Sequence, residues 1–363
     1  ARHTTVSGSI FIDDITASSI ARTVRELVSR LVRSAADLID IVYHELHCKL
    51  ALDKAQIVAS SREVHVALKA ALGRYSGPST CKAGARNLGI DFFGGSMRRF
   101  YVNRLTQRSR FTKLKNRNRK LFALKSSGTD MRRLYLTGLL SQGHFGQDVV
   151  GVDRGELHSQ QTQFLKVVGS GGATRSRSLS LLLLRDPSWA TGLGPPMVWH
   201  KLVWKASTCG TFASHVNLPM LRRLMEPILA RPPKDWSQVR GPLGAVYMSL
   251  RRLGWELESP FILKTSIGKI VLTSTSPRHL RTLIAEHWHD RLSSYAAERL
   301  GLPSGTFLDS TVAEKLLRPG VLPKAQRAML QAYLVGAVWS SVRLSEAGYD
   351  VPSIYCPHCL GEL

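Results

Sequence analysis

The sequence predicts an α+β fold, with a short β-rich opening, a long basic helix and a mostly helical remainder. Two observations carry that expectation. β-Branched residues flank turn signals near the N-terminus and again near residue 90. Beyond residue 100, apolar residues recur mainly at spacings of three and four, and strand-like alternation returns only at 261–272.

The elements follow in chain order. Residues 5–17 read TVSGSIFIDDITA, an apolar run meeting Asp13 and Asp14 where a two-residue hairpin turn fits. Ile20, Val24, Leu27, Val28, Leu31, Val32, Ala35, Leu38, Ile39, Val42 and Leu46 then predict a helix over 19–47, capped by Ser18 or Ser19. The run 55–60 (AQIVAS) reads as a strand, 62–73 as a short helix, and 84–93 as a strand with a turn. Helices are expected at 131–141, 154–168, 218–230, 243–254, 277–300 and 323–347. A hairpin is expected at 261–272, and GSGGATRSRS (169–178) reads as a linker.

Composition narrows the class. The 363 residues carry 50 Lys and Arg against 26 Asp and Glu, a formal net charge of +24. At 44 % hydrophobic content the chain is no disordered basic tail. A folded body so charged calls for a polyanion, nucleic acid first and an anionic membrane surface second. No apolar stretch approaches the ~18 residues of a membrane span. Five cysteines, at 48, 81, 209, 356 and 359, argue against a disulfide framework and suit a reducing compartment. Without an initiator Met, the chain is read as an internal piece of a longer polypeptide.

Candidate chemistry concentrates in few places. Asp13 and Asp14 at a hairpin tip repel each other, and a divalent metal relieves that cost, although an acidic β-turn is the plainer reading. Lys54 can bind phosphate or act as a general acid, or simply be solvated. In NLGID (87–91), Gly89 allows a tight turn or close approach. From Arg98 to Arg133, 13 of 36 residues are Lys or Arg and only Asp130 is acidic. Arg98, Arg99, Arg104, Arg108, Arg110, Lys113, Lys115, Arg117, Arg119 and Lys120 are the candidate phosphate contacts on an amphipathic helix. Cys356 and Cys359 have the spacing of half a zinc site, with His358, His287 or His289 as conceivable partners, or are two plain thiols. His287 and His289 read as surface helix residues, and Cys48 and Cys81 as buried apolar fillers.

The ordered set FIDD (11–14), KLALDKAQIVAS (49–60), NLGID (87–91) and the basic run from 98 resembles reverse transcriptases of non-LTR, LINE-like retrotransposons, those of dinoflagellate genomes above all. LYLTGLLSQGHFGQDVVGV (134–152) is similar to that family's post-thumb helix and aromatic-Gly turn. GAVWSSVRLSEAGYDVPSIYCPHC (336–359) is similar to its run into a zinc knuckle, while 175–320 matches only loosely. The resemblance implies the C-terminal half of a palm over 1–96, a basic helical thumb over 97–170, and a mostly helical region over 171–363. It implies two-metal nucleotidyl transfer in the parent polymerase, with Asp13 and Asp14 binding Mg²⁺ and Lys54 assisting pyrophosphate departure. Leu88 and Gly89 become the primer grip, and Cys356 and Cys359 part of a Zn²⁺ site completed beyond this chain. The implied partners are an RNA template and a DNA primer, with dNTPs the only small-molecule substrates, no membrane, and an intracellular, nuclear location. Ile12, Ala51 and Asn87 depart from the family's usual small residue, Asn and aromatic. The first metal-binding aspartate is expected upstream, so the chain alone is expected to be inactive. The rival expectation is a non-catalytic nucleic-acid-binding protein derived from a decayed element.

Overall fold

The computed structural model describes residues 6–11, 14–51, 55–73, 84–87, 90–93, 104–124, 131–169, 175–209, 216–239, 241–318, 320–338 and 340–355. The fold is α+β and mostly helical, in two compact units, Ala1–Ser109 with Asp235–Arg240, and Arg110–Lys234 with Gly241–Leu363.

In the first unit, β1 (Val6–Phe11) and β2 (Asp14–Ser19) form an antiparallel hairpin in which Phe11 pairs with Asp14. Phe11 and Asp14 thus flank the connection, with Asp14 in the strand rather than in the turn where the acidic pair is expected, and Ile12 and Asp13 lie outside the described residues. β2 runs to Ser19, so the following helix starts later than expected, and Thr23 caps it by accepting from the Glu26 amide. That helix, α1 (Val24–Asp40), continues as a π-turn over Ile41–Glu45 and packs on the hairpin and on α2 (Arg62–Ala71). None of its residues is buried. β3 (Gly84–Asn87) and β4 (Ile90–Phe93) make a second hairpin. The strand expected at 55–60 is absent: these residues are irregular, because only Ile57 and Val58 are β-branched and so weak a local propensity is readily overridden by context. Cys48, expected as buried filler, is exposed, and Cys81 lies outside the described residues.

The basic helix α3 (Arg104–Leu124) leads into the second unit. A helical run follows, α4, through Met131–Leu134, a π-turn at Tyr135–Leu140 and Ser141–His144. After the short α5 (Gln147–Val150), α6 (Arg154–Val168) opens on a full capping box between Asp153 and Glu156. The expected linker ends sooner than 178, because Ser176 caps α7 (Arg177–Leu183). α8 (Ser188–Gly192), α9 (Gly194–Thr208), α10 (Leu218–Ala230) and α11 (Pro242–Leu253) precede an antiparallel meander. Its strands are β5 (Glu256–Ser259), β6 (Ile262–Thr265) and β7 (Gly268–Val271), one more than the expected hairpin. α12 (Pro277–Arg299), α13 (Thr311–Leu316), α14 (Lys324–Leu334) and α15 (Ser341–Glu346) complete the chain. The single helix expected at 323–347 is thus broken, at Gly336 with φ 66°, a conformation glycine tolerates best.

Two cores organise this unit. Trp199, Val203, Met225, Val246, Leu250, Trp255, Leu263, Leu280 and Ile284 join α9 to α12 with one face of the sheet. Leu114, Met131, Tyr135, Leu139, Phe164, Leu165, Val167 and Leu181 join α3, α4, α6 and α7. The buried Asp186 carboxylate ties elements together. It accepts from the Ser188 amide at 2.9 Å, the Ser188 hydroxyl at 2.6 Å, Gln161 Nε2 at 2.6 Å and Trp288 Nε1 at 3.2 Å.

The difference between the half-covered α1 and the deep second-unit core is measurable. Leu250→Ala should lower unfolding free energy by about 2–5 kcal/mol in urea titrations. Leu31→Ala, on a helix with no buried residue, should cost about 1 kcal/mol. Equal costs would show that the α1 stripe is fully covered.

Candidate nucleic-acid interface

α3 is fastened by one face. Leu114 and Asn118 are buried and Leu121 packs beside them, at spacings of four and three that define a helical stripe. Asn118 Nδ2 donates to the Gln163 carbonyl at 3.0 Å and to Gln163 Oε1 at 2.7 Å, so the seam holds a polar pin as well as apolar contact. Gly143 lies against it closely. A Cβ at that position would run into Leu114 Cδ1, so a larger residue would require the Leu114 side chain to shift.

With that face occupied, the cations must point away. Lys113, Lys115, Arg117, Arg119 and Lys120 are all exposed. At 100° per residue they fall into two rows, Lys113–Arg117–Lys120 on one flank of the seam and Lys115–Arg119 on the other. On the small sheet of this unit, two exposed lysines have acidic neighbours: Lys264 with Glu256 at 3.9 Å, and Lys269 with Glu258 at 2.7 Å. Among the described residues, no ion pair involves the α3 lysines. An anion placed among them would relieve their mutual repulsion.

Two of the candidate arginines also have partners within the fold. Arg110 is half-buried, donates through Nη1 to the Phe145 carbonyl at 2.6 Å, and lies 4.9 Å from the Phe145 ring centroid. Arg117 donates to Gln142 Oε1 and remains exposed. Neither Phe145 nor Gln142 was expected in the site. The aromatic-Gly turn was visible in the sequence, but its proximity to α3 depends on tertiary packing. Arg104 and Arg108 occupy the first two turns of α3.

Asp14 opens β2 opposite Phe11. Asp13, Lys54, Leu88, Gly89, Arg98, Arg99, Cys356 and Cys359 lie outside the described residues. Among the described residues no cluster of three or more His, Cys, Asp or Glu is arranged to hold a metal. The two histidines read as surface residues are instead half-buried and engaged. His287 Nε2 lies 2.9 Å from the Leu253 carbonyl, and His289 Nε2 lies 3.4 Å from Ser310 Oγ. No described helix is long and apolar enough to cross a membrane. No family model, curated protein or solved structure matches the chain.

The turn beside α3 is anchored by His144, whose Nε2 lies 2.9 Å from Thr191 Oγ1. Burial lowers the His144 pKa to about 4, against a smaller raising effect of its hydrogen bond with Gln160. The fold therefore holds the neutral ring, while the unfolded chain takes up a proton below about 6.5. Stability from this group is complete above that pH and is lost as pH falls toward 4. The loss between pH 7 and pH 4.5 should be about 2 kcal/mol, and His144→Gln should remove that part of the dependence in urea titrations at those two pH values. An unchanged dependence would place the titration elsewhere.

Proposed function

We propose that this chain binds nucleic acid through α3, as the thumb-side portion of a reverse transcriptase of the non-LTR retrotransposon kind. The observation that carries the binding is the burial of one α3 face, which leaves five cations exposed in two rows. Phosphate neutralisation by Lys and Arg releases counterions and gives affinity without sequence preference. An RNA template and a DNA primer are the ligands this reading assigns.

The polymerase part of the reading is supported by the hairpin register. Phe11 pairs with Asp14, so Asp14 opens β2 at the hairpin end, and Asp13 is its neighbour in sequence. Paired carboxylates are the oxygen donors Mg²⁺ takes, and two residues leave most of its coordination sphere to other groups. In the parent enzyme Mg²⁺ would supply two-metal activation of a primer hydroxyl. Asp13 and Asp14 would hold it, Lys54 would meet the pyrophosphate, and Leu88 and Gly89 would lie against the primer. Cys356 and Cys359 would contribute thiolates to a Zn²⁺ site with further ligands. The nucleus is the compartment consistent with such an element.

Fluorescence anisotropy on a primer–template duplex tests the binding. Log affinity should fall linearly with log salt. Replacing Lys113, Lys115, Arg117, Arg119 and Lys120 together with Ala should flatten that slope and weaken unrelated sequences alike, by tenfold or more at about 0.1 M salt. Unchanged affinity and slope would remove α3 from the interface.

A further inference from the structure

We infer that Phe145 is a stacking platform for an unpaired base, so that this face of α3 takes single-stranded nucleic acid. The inference rests on the nucleic-acid reading of α3 and adds to it a ligand class and a base-contacting residue.

Phe145 is a large aromatic residue left 53 % exposed, at the end of the segment packed against α3. Arg110 fixes it twice, through its backbone carbonyl and by lying over one side of the ring. The ring is thus held from one side while about half of the residue stays exposed. A rigid, solvent-facing aromatic surface offers a base a partner of nearly fixed orientation, and stacking needs no hydrogen-bond code because every base has a π face.

The charge beside it is laid out to suit. Arg110, Lys113, Arg117 and Lys120 are spaced by three, four and three residues, so they lie along one side of α3 over about 15 Å. Arg110 touches Phe145 and Arg117 touches Gln142, so this row, rather than Lys115 and Arg119, runs past the platform. Phosphates along Lys113, Arg117 and Lys120 would bring the adjoining base to the ring. A base in the interior of a duplex, paired and stacked on both sides, has no free face to offer, so Phe145 should discriminate by strandedness and the cation row should not. Ribose and deoxyribose strands share the features used here, a phosphate chain and a free base face.

Anisotropy with the full chain tests this, using single-stranded RNA and DNA of about twelve nucleotides and the matching blunt duplex. Phe145→Leu keeps the carbonyl that Arg110 uses and removes the ring. It should weaken both single strands by about tenfold and leave duplex affinity unchanged, with Phe145→Tyr restoring single-strand binding. A strand carrying 5-iodouracil should cross-link at Phe145 in the wild-type protein, a readout independent of how the variants fold. Loss on only one of RNA and DNA would overturn the shared-chemistry statement. Equal effects on single strand and duplex, no effect, or cross-linking elsewhere would overturn the platform while leaving the α3 interface standing. Wild-type protein binding none of the three ligands would overturn the nucleic-acid reading itself, and this inference with it.

Discussion

The seam of Leu114, Asn118 and Leu121 decides what the rest of α3 can do. A helix as basic as this one has little reason to lie on a protein that itself carries net charge +24. Apolar contact with the α4–α6 core and the Asn118–Gln163 pair hold it there. Once that face is fixed, helical geometry leaves its lysines no direction but outward, on two flanks. The fold therefore concentrates charge that self-repulsion would otherwise disperse.

Not all of the positive charge is available to a ligand. Many arginines of the second unit act as internal ties to carbonyl oxygens. Arg252 donates to Gly192 at 3.1 Å, Arg251 to Lys234 at 3.2 Å, and Arg177 to His158 at 3.0 Å. Arg177 also donates to Thr162 Oγ1 at 2.7 Å, and Arg185 pairs with Glu314 at 2.6 Å. The planar, multi-donor guanidinium suits that work, whereas the compact ammonium of lysine does not. That division of labour makes the lysines of α3 the more telling residues. They are exposed, and they lie in a stretch whose one acidic residue is Asp130.

Local chemistry made much of the fold legible. The hairpin at Phe11–Asp14 and the helices expected at 154–168 and 277–300 are each written in a short stretch of adjacent residues. What escaped depended on distant partners. The apolar run Leu181–Leu184 shows no period, because α7 is buried nearly all round, so periodicity gave no sign of it. AQIVAS had strand propensity, yet its residues are irregular. In the interface, the basic row was legible and its internal commitments were not. Arg110 and Phe145 are thirty-five positions apart, and only packing brings them together.

Lysine reactivity tests the central claim most directly. Brief acetylation of the intact chain, with and without a saturating nucleic-acid ligand, should show Lys113, Lys115 and Lys120 protected on binding. Lys264 and Lys269, on the small sheet and beside Glu256 and Glu258, should react equally in both states. Unprotected α3 lysines in a saturated complex, with protection of Lys264 and Lys269 instead, would contradict the account.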